Sequence, residues 1–205
     1  MTSPTQVGCL ILAAGLSSRM GSPKALLPWG ENGTLIEHII RTAQAAQVGE
    51  VWVVTGHAAE SVAPLVTSLG AHPIINIDYA KGEILSSLKV GLSALPDSCG
   101  AALVLLGDMP FVTADVIKTV VNVWHNEQSS AATVAVAPVY ENQRGHPILF
   151  DRALWPELLA LPEGSAPRDV LTRHPDRLRL IPVDDDGILV DLDTQQQYQH
   201  LKNGV

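Results

Sequence analysis

VGCLILAAGLSSRMGSPK, residues Val7 to Lys24, governs how the rest of the chain is read. From Val7 to Ala13 every residue is apolar or small, the pattern of a strand buried on both faces. The chain then turns at Gly15 and carries Ser17, Ser18, Arg19, Gly21 and Lys24, a segment too polar and glycine-rich for a core. Gly15 can take φ > 0 at no steric cost, and Ala13 and Ala14 leave room for a ligand close to the backbone. Exposed N–H groups, hydroxyls and two cations are what a polyphosphate needs. Arg19 offers a planar fork to phosphate oxygens, and Lys24 offers a point charge. The segment is not a Walker A loop, since Lys24 follows Pro23 and precedes Ala25, and the Gly15 to Gly21 spacing does not fit a dinucleotide fingerprint. The plain alternative is a strand-to-helix connection with a solvated Arg19 and Lys24.

Strands and helices alternate after this loop. Helices are predicted over Thr34 to Gln47, with Thr34 as N-cap, Ala58 to Leu69, Glu83 to Leu95 despite Gly91, and Thr113 to His125. Strands are predicted over Glu50 to Thr55, His72 to Ile77 and the fully apolar Ala101 to Leu106. Such βα alternation reads as a mostly parallel sheet covered on both faces. From Ala131 the pattern changes: a strand to Tyr140, a turn at NQRGHP and a short return over Ile148 to Phe150 read as a hairpin inserted in the sheet, which makes the sheet mixed. Helices near Ala153 to Leu161 and Pro167 to Arg173 follow. A strand over Leu178 to Val183, an acidic turn, the run Ile188 to Val190 and a helix near Thr194 to Leu201 end the chain. No linker, repeat or low-complexity segment interrupts it, so residues 1–205 are expected to form one α/β domain.

Composition narrows the function. The 205 residues are 46% hydrophobic with a formal net charge of −8, a balance that argues against a surface that coats nucleic acid. No acidic residue precedes Glu31, whereas Asp184, Asp185, Asp186, Asp191 and Asp193 gather late. A positive loop and a negative patch from opposite ends could thus meet around a metal and a triphosphate. Cys9 and Cys99 make no C-x-x-C motif, Cys9 is expected to pack in the first strand, and the seven histidines show no zinc spacing. The N-terminus has no basic n-region, and its apolar run is too short to span a bilayer. The expectation is a reduced, cytoplasmic protein with no membrane partner.

Asp108 lies in Gly107-Asp108-Met109-Pro110, directly after a buried strand, at the end where open α/β sheets bind ligands. A carboxylate there can hold Mg²⁺ together with phosphate oxygens, or it can simply cap the following segment.

LAAGLSSRMGSPKALLPW, Leu12 to Trp29, resembles the signature loop of the molybdenum cofactor nucleotidyltransferases, specifically the cytidylyltransferase branch. The resemblance runs over almost the whole chain, and its two specific motifs are LAAGxSxRMGxxK and GDxP. It implies a Rossmann-like, three-layer fold of the nucleotide-diphospho-sugar transferase kind. It also implies that Asp108 carries the metal, Mg²⁺ with Mn²⁺ as the alternative. Ala13, Ala14, Gly15, Ser17, Ser18, Arg19 and Lys24 would bind the nucleotide, with Arg19, Lys24 and Asp108 catalytic. The segment Gly82 with Ser86 and Ser87 is similar to a family stretch beside the base, although on pattern alone such serines cap a helix. Arg144-Gly145-His146-Pro147 is similar to a segment bordering the pterin side, where Arg144 and His146 could bind the substrate phosphate; the bland reading is a surface turn. VDDDGILVDLDT resembles the family's terminal segment, with Asp191 or Asp193 as second metal ligand, or Asp193 or Thr194 as a helix cap. Gln195, Gln196 and Gln197 depart there from the family's Pro-Glu-Asp, and Asn142 stands where a glycine is frequent.

The implied reaction joins CMP from CTP to the terminal phosphate of molybdenum-molybdopterin and releases pyrophosphate, with a client molybdoenzyme of the xanthine dehydrogenase type as a possible partner. The methyl group of Ala14, where the guanylyl branch has glycine, narrows the space above the first strand in favour of a pyrimidine. A guanylyltransferase, a sugar-phosphate nucleotidyltransferase and a non-catalytic carrier of the pterin cofactor are the competing readings.

Overall fold

The computed structural model describes residues 6–17, 20–31, 33–81, 84–127 and 134–202. Its centre is β1 (Gln6–Ala13), which pairs in parallel with β4 (Val51–Thr55) on one side and β6 (Cys99–Leu106) on the other. Two short strands, β2 (Pro28–Trp29) and β3 (Gly33–Thr34), form a separate hairpin, and β5 (His72–Ile75) edges the sheet beyond β4. The order continues past β6 through β9 (Ile148–Asp151), β7 (Ala135–Tyr140) and β10 (Leu178–Pro182), while β8 (Gln143–Arg144) pairs with β7. β9 runs antiparallel to both β6 and β7, and the remaining long pairings are parallel. The sheet is therefore mixed, as the hairpin reading required.

Period-two alternation divides β1 between two cores. Val7, Cys9 and Ile11 face the side covered by α1 (Leu35–Ala46), α2 (Ala59–Ser68) and α4 (Ala114–Glu127). Leu10 and Leu12 face the side of α3 (Ile84–Ala94), α5 (Trp155–Ala160) and α6 (Pro167–Arg173). Each fully buried aliphatic side chain contributes roughly 1.5–3 kcal/mol, so the apolar runs that mark these strands are also what holds them. Gly91 lies within α3, and its missing Cβ lets the helix lie close on β1: a Cβ there would stand 2.5 Å from a Leu10 methyl. Thr34 caps α1 as expected and forms a capping box with Glu37.

Differences from the sequence reading are local. The strand predicted to Ile77 ends at Ile75, and Ile188 lies in a 3-10 turn over Asp186–Leu189. Ala131 and the start of its predicted strand, and Glu83 at the predicted start of α3, fall outside the described residues. The left-handed backbone of the first loop sits at Ser17 (φ 51°) and Gly21 (φ 70°), not at Gly15. No described helix is long and apolar enough to cross a membrane.

Strand order reverses between β1 and β6: the chain moves from β1 outward to β4 and β5, then returns to lay β6 on the other side. Crevices open at the carboxyl ends of strands at such switch points. Gly107 closes this one at its base. Its N–H donates to Leu12 O at 2.9 Å, and a Cβ would stand 2.8 Å from Ala13 Cβ.

Candidate active site

A cleft of about 400 Å³ opens at that switch point. Ala13, Ala14, Gly15, Ser17, Lys24, Ser87, Asp108 and Asp193, all predicted site residues, line it. Leu16, Ala58, Tyr79 and Ile84 line it too, and no motif singles them out. A Cβ on Gly15 would meet nothing within 4 Å, so this backbone faces open space. Ser17 Oγ accepts the Lys24 N–H at 3.0 Å, and Ser17 O accepts the Met20 N–H at 2.9 Å. The hydroxyl thus closes the loop and brings Lys24, at the start of a 3-10 turn over Lys24–Leu26, back over the strand ends.

Lys24 is the hub. Its ammonium donates to Asp108 Oδ2 at 3.0 Å and to Asp193 Oδ1 at 2.9 Å, tying residues from the start, middle and end of the chain. Burial works against the charged lysine, but the two carboxylates outweigh it and hold its pKa above the ordinary value. Asp193 reaches the site through its neighbours. The Leu192 N–H donates to Asp108 O at 2.9 Å, laying the terminal segment beside the Asp108 turn. Thr194, not Asp193, caps α7 (Gln195–Leu201), and the Gln197 side chain completes the capping box. The Asp193 carboxylate thus turns to Lys24 rather than to the helix end. Asp191 does not line the cleft, yet its carboxyl is pushed up by burial and then by the charges of Asp193 and Asp108.

The donor set fits a hard divalent cation. Among the described residues no three His, Cys, Asp or Glu side chains form a cage, and Mg²⁺ commonly binds through one or two carboxylates plus substrate phosphates. The Lys24 ammonium between Asp108 and Asp193 marks a place where these carboxylates already converge on positive charge.

The other predicted residues lie apart or undescribed. Ser18, Arg19 and Gly82 fall outside the described residues. Ser86 stands one position before Ser87 on α3, behind the lining. Arg144 is exposed on β8; His146 is half-buried, with its N–H donating to Ile188 O at 3.0 Å. Burial pushes the His146 pKa down to about 4 against the opposing charge of Asp108, so the imidazole is neutral at physiological pH. It can offer a phosphate an N–H but no charge. Ala14 is buried, and its methyl meets the position of Gly56, where an added Cβ would come within 2.9 Å.

A mixed α/β sheet with a phosphate-type loop, a lysine and two carboxylates at its switch point defines a nucleotidyltransferase-like protein. The family model for the MobA-like NTP transferase domain matches residues 9–178, and the chain belongs to that family. It is a nucleotidyltransferase related to the cytidylyltransferases. It is 29% identical to the molybdenum cofactor cytidylyltransferase of Escherichia coli K12 across 94% of this chain and 93% of that one. It is equally similar, 29% across 94% of both chains, to a protein of Paenarthrobacter nicotinovorans named nicotine blue oxidoreductase. The Rv0371c protein of Mycobacterium tuberculosis H37Rv superposes with a TM-score of 0.81 at 26% identity, covering 98% of this chain and all of that one. The same protein is also known as a manganese complex, with TM-score 0.77, 24% identity and the same coverage.

Proposed function

We propose that the protein transfers CMP from CTP to the terminal phosphate of molybdenum-molybdopterin and releases pyrophosphate. The observation that carries this reading is the Lys24 ammonium shared by Asp108 and Asp193 over the open Gly15 backbone. A lysine and paired carboxylates suit a metal–triphosphate, and the whole-length similarity to a cytidylyltransferase supports the choice of nucleotide and acceptor.

Asp108, with Asp193 or Asp191, would hold Mg²⁺ or Mn²⁺, which when bound neutralises charge on triphosphate oxygens. The remaining work falls to the chain. The Gly15 to Gly21 backbone, Arg19 and Lys24 align the triphosphate for in-line attack. The acceptor phosphate, ionised at neutral pH, forms a bond to the α-phosphorus as the bond from that phosphorus to the bridging oxygen of pyrophosphate breaks. No proton is removed, so no general base is needed. Lys24 counters negative charge that builds on the leaving pyrophosphate. Arg144 and His146 border the acceptor side, His146 as a neutral donor.

The test is incubation with each nucleoside triphosphate in turn, Mg²⁺ and molybdenum cofactor, reading pyrophosphate release and the nucleotide attached to the pterin. CMP attachment is the expected product. Attachment of GMP would replace the cytidylyl reading, and no pyrophosphate with any triphosphate would overturn the enzyme reading in favour of a carrier. Ala14→Gly should relax the preference for CTP over GTP without reversing it, because shape alone separates close ligands by only ~1–3 kcal/mol.

A further inference from the structure

Asn76 stands just beyond the end of β5 and is only 1% exposed. A side-chain amide buried that far has to be hydrogen-bonded, and here the partners fix which way it faces. Its Oδ1 accepts the backbone N–H of Asp78 at 2.9 Å. A backbone N–H can only donate, so the oxygen must face Asp78 and the nitrogen must face α3. Nδ2 then donates to Ser86 Oγ at 3.1 Å and to Ser87 Oγ at 3.2 Å, one proton to each.

A hydroxyl has one proton and two lone pairs, and accepting from Asn76 leaves the proton to give. No acceptor on a described residue takes the proton of either serine. Ser87 is 7% exposed, lines the cleft with Tyr79 and Ile84, and sits in the first turn of α3. Its hydroxyl is therefore a buried polar group at the cleft wall that, among the described residues, still has a proton to give.

We propose that Asn76 is a positioning residue that sets the hydrogen-bonding polarity of the cleft wall. By giving its amide protons to Ser86 and Ser87, it makes the Ser87 hydroxyl a donor toward the ligand. The cleft then selects a nucleobase that presents an acceptor at this point, as the ring carbonyl or unprotonated ring nitrogen of a pyrimidine does. The proposal rests on the reading of the cleft as a nucleotide site.

Asn76→Asp tests it with almost no change of shape. A carboxylate keeps the Asp78 contact but accepts from the serines, drawing in the Ser87 proton and turning lone pairs toward the ligand. Affinity for CTP should fall by about tenfold or more, the scale of a mismatched buried polar group. KM should rise while kcat at saturation stays within about threefold, because Asn76 does not itself line the cleft. Binding of inorganic tripolyphosphate, which probes the Lys24 end alone, should be unchanged. Ser87→Ala should reproduce the loss, and the double variant should be no worse than Ser87→Ala. Normal CTP affinity in Asn76→Asp or in Ser87→Ala, or an equal loss of tripolyphosphate binding, overturns the role of Asn76. A parent protein that binds tripolyphosphate but gains nothing from the nucleoside would overturn the nucleotide reading itself.

Discussion

Lys24 makes the charge balance of the site unusual, because one ammonium serves two carboxylates that also suit a metal. Asp108→Asn keeps the shape and removes one charge. It should lower kcat by ~10²–10³, as loss of one preorganised contact commonly does. Its unfolding free energy should move by less than about 1 kcal/mol, the scale of a partly exposed ion pair. Lys24→Ala should separate two quantities that usually fall together. Triphosphate binding weakens, yet Mn²⁺ alone binds more tightly, since the ammonium that competes with the metal for Asp108 and Asp193 is gone; titration of free Mn²⁺ by electron paramagnetic resonance reads this directly. His146 gives the pH dependence. Its pKa lies at about 4 in the fold against the ordinary 6.5, with burial the main cause. Between those values the unfolded chain takes up a proton that the folded chain does not, so stability is lost as pH falls through that window. His146→Gln should flatten the urea midpoint over that range; an unchanged slope would mean that the ring is solvated.

At the scale of elements, the turn after β6 and the loop after β1 respond to added bulk in opposite ways. A Cβ at Gly107 meets Ala13 Cβ at 2.8 Å and Leu12 O at 3.0 Å, whereas one at Gly15 meets nothing. Gly107→Ala should part the ends of β1 and β6 and misplace Asp108, costing ~10²-fold in kcat, because reactivity is that sensitive to alignment. Gly15→Ala should keep the parent melting temperature and raise KM for the nucleotide, as its methyl occupies ligand space. Equal melting and equal kinetics in the two variants would refute the assignment. These elements also mark what the sequence can carry. β1, β4 and β6 are short apolar runs that suit a strand buried on both faces, and Asp108 follows from its position after one of them. The two-residue strands β2 and β3 and the 3-10 turn at Lys24 leave no periodicity to read, because tertiary contacts make them. Asn76 sits in no motif: its meaning comes from burial and from two serines on a separate element. Which late aspartate meets Lys24 is set by the Leu192 N–H and the cap at Thr194, and neither leaves a pattern along the chain.

Over the whole molecule, the site depends on contacts that tie the two ends of the chain together, two of them between described residues. Lys24 holds Asp193, and Tyr198 on α7 donates its hydroxyl to Pro28 O at 2.6 Å. Tyr198 is 2% exposed and packs its ring near Trp29, which in turn meets Phe111 edge-on at 5.6 Å between centroids. This aromatic cluster therefore joins the hairpin of β2 and β3, the chain after Asp108 and the terminal helix. His38 adds a bond to Pro110 O at 2.9 Å, so the Asp108 turn is braced from α1 as well. Closure of this kind makes α7 part of the active site although it supplies no reacting group. Tyr198→Phe keeps the ring and removes one hydrogen bond, leaving the Pro28 carbonyl unpaired. Stability should fall by about 1–2 kcal/mol, with a single cooperative unfolding transition. The metal–triphosphate should restore part of that loss, because binding at Lys24 and Asp193 re-closes the same gap by mass action. A denaturant titration with and without nucleotide and Mg²⁺ checks both points. A variant that melts in two steps, with α7 leaving first and the nucleotide giving no recovery, would show that the terminal helix is an appendage rather than the clasp of the cleft.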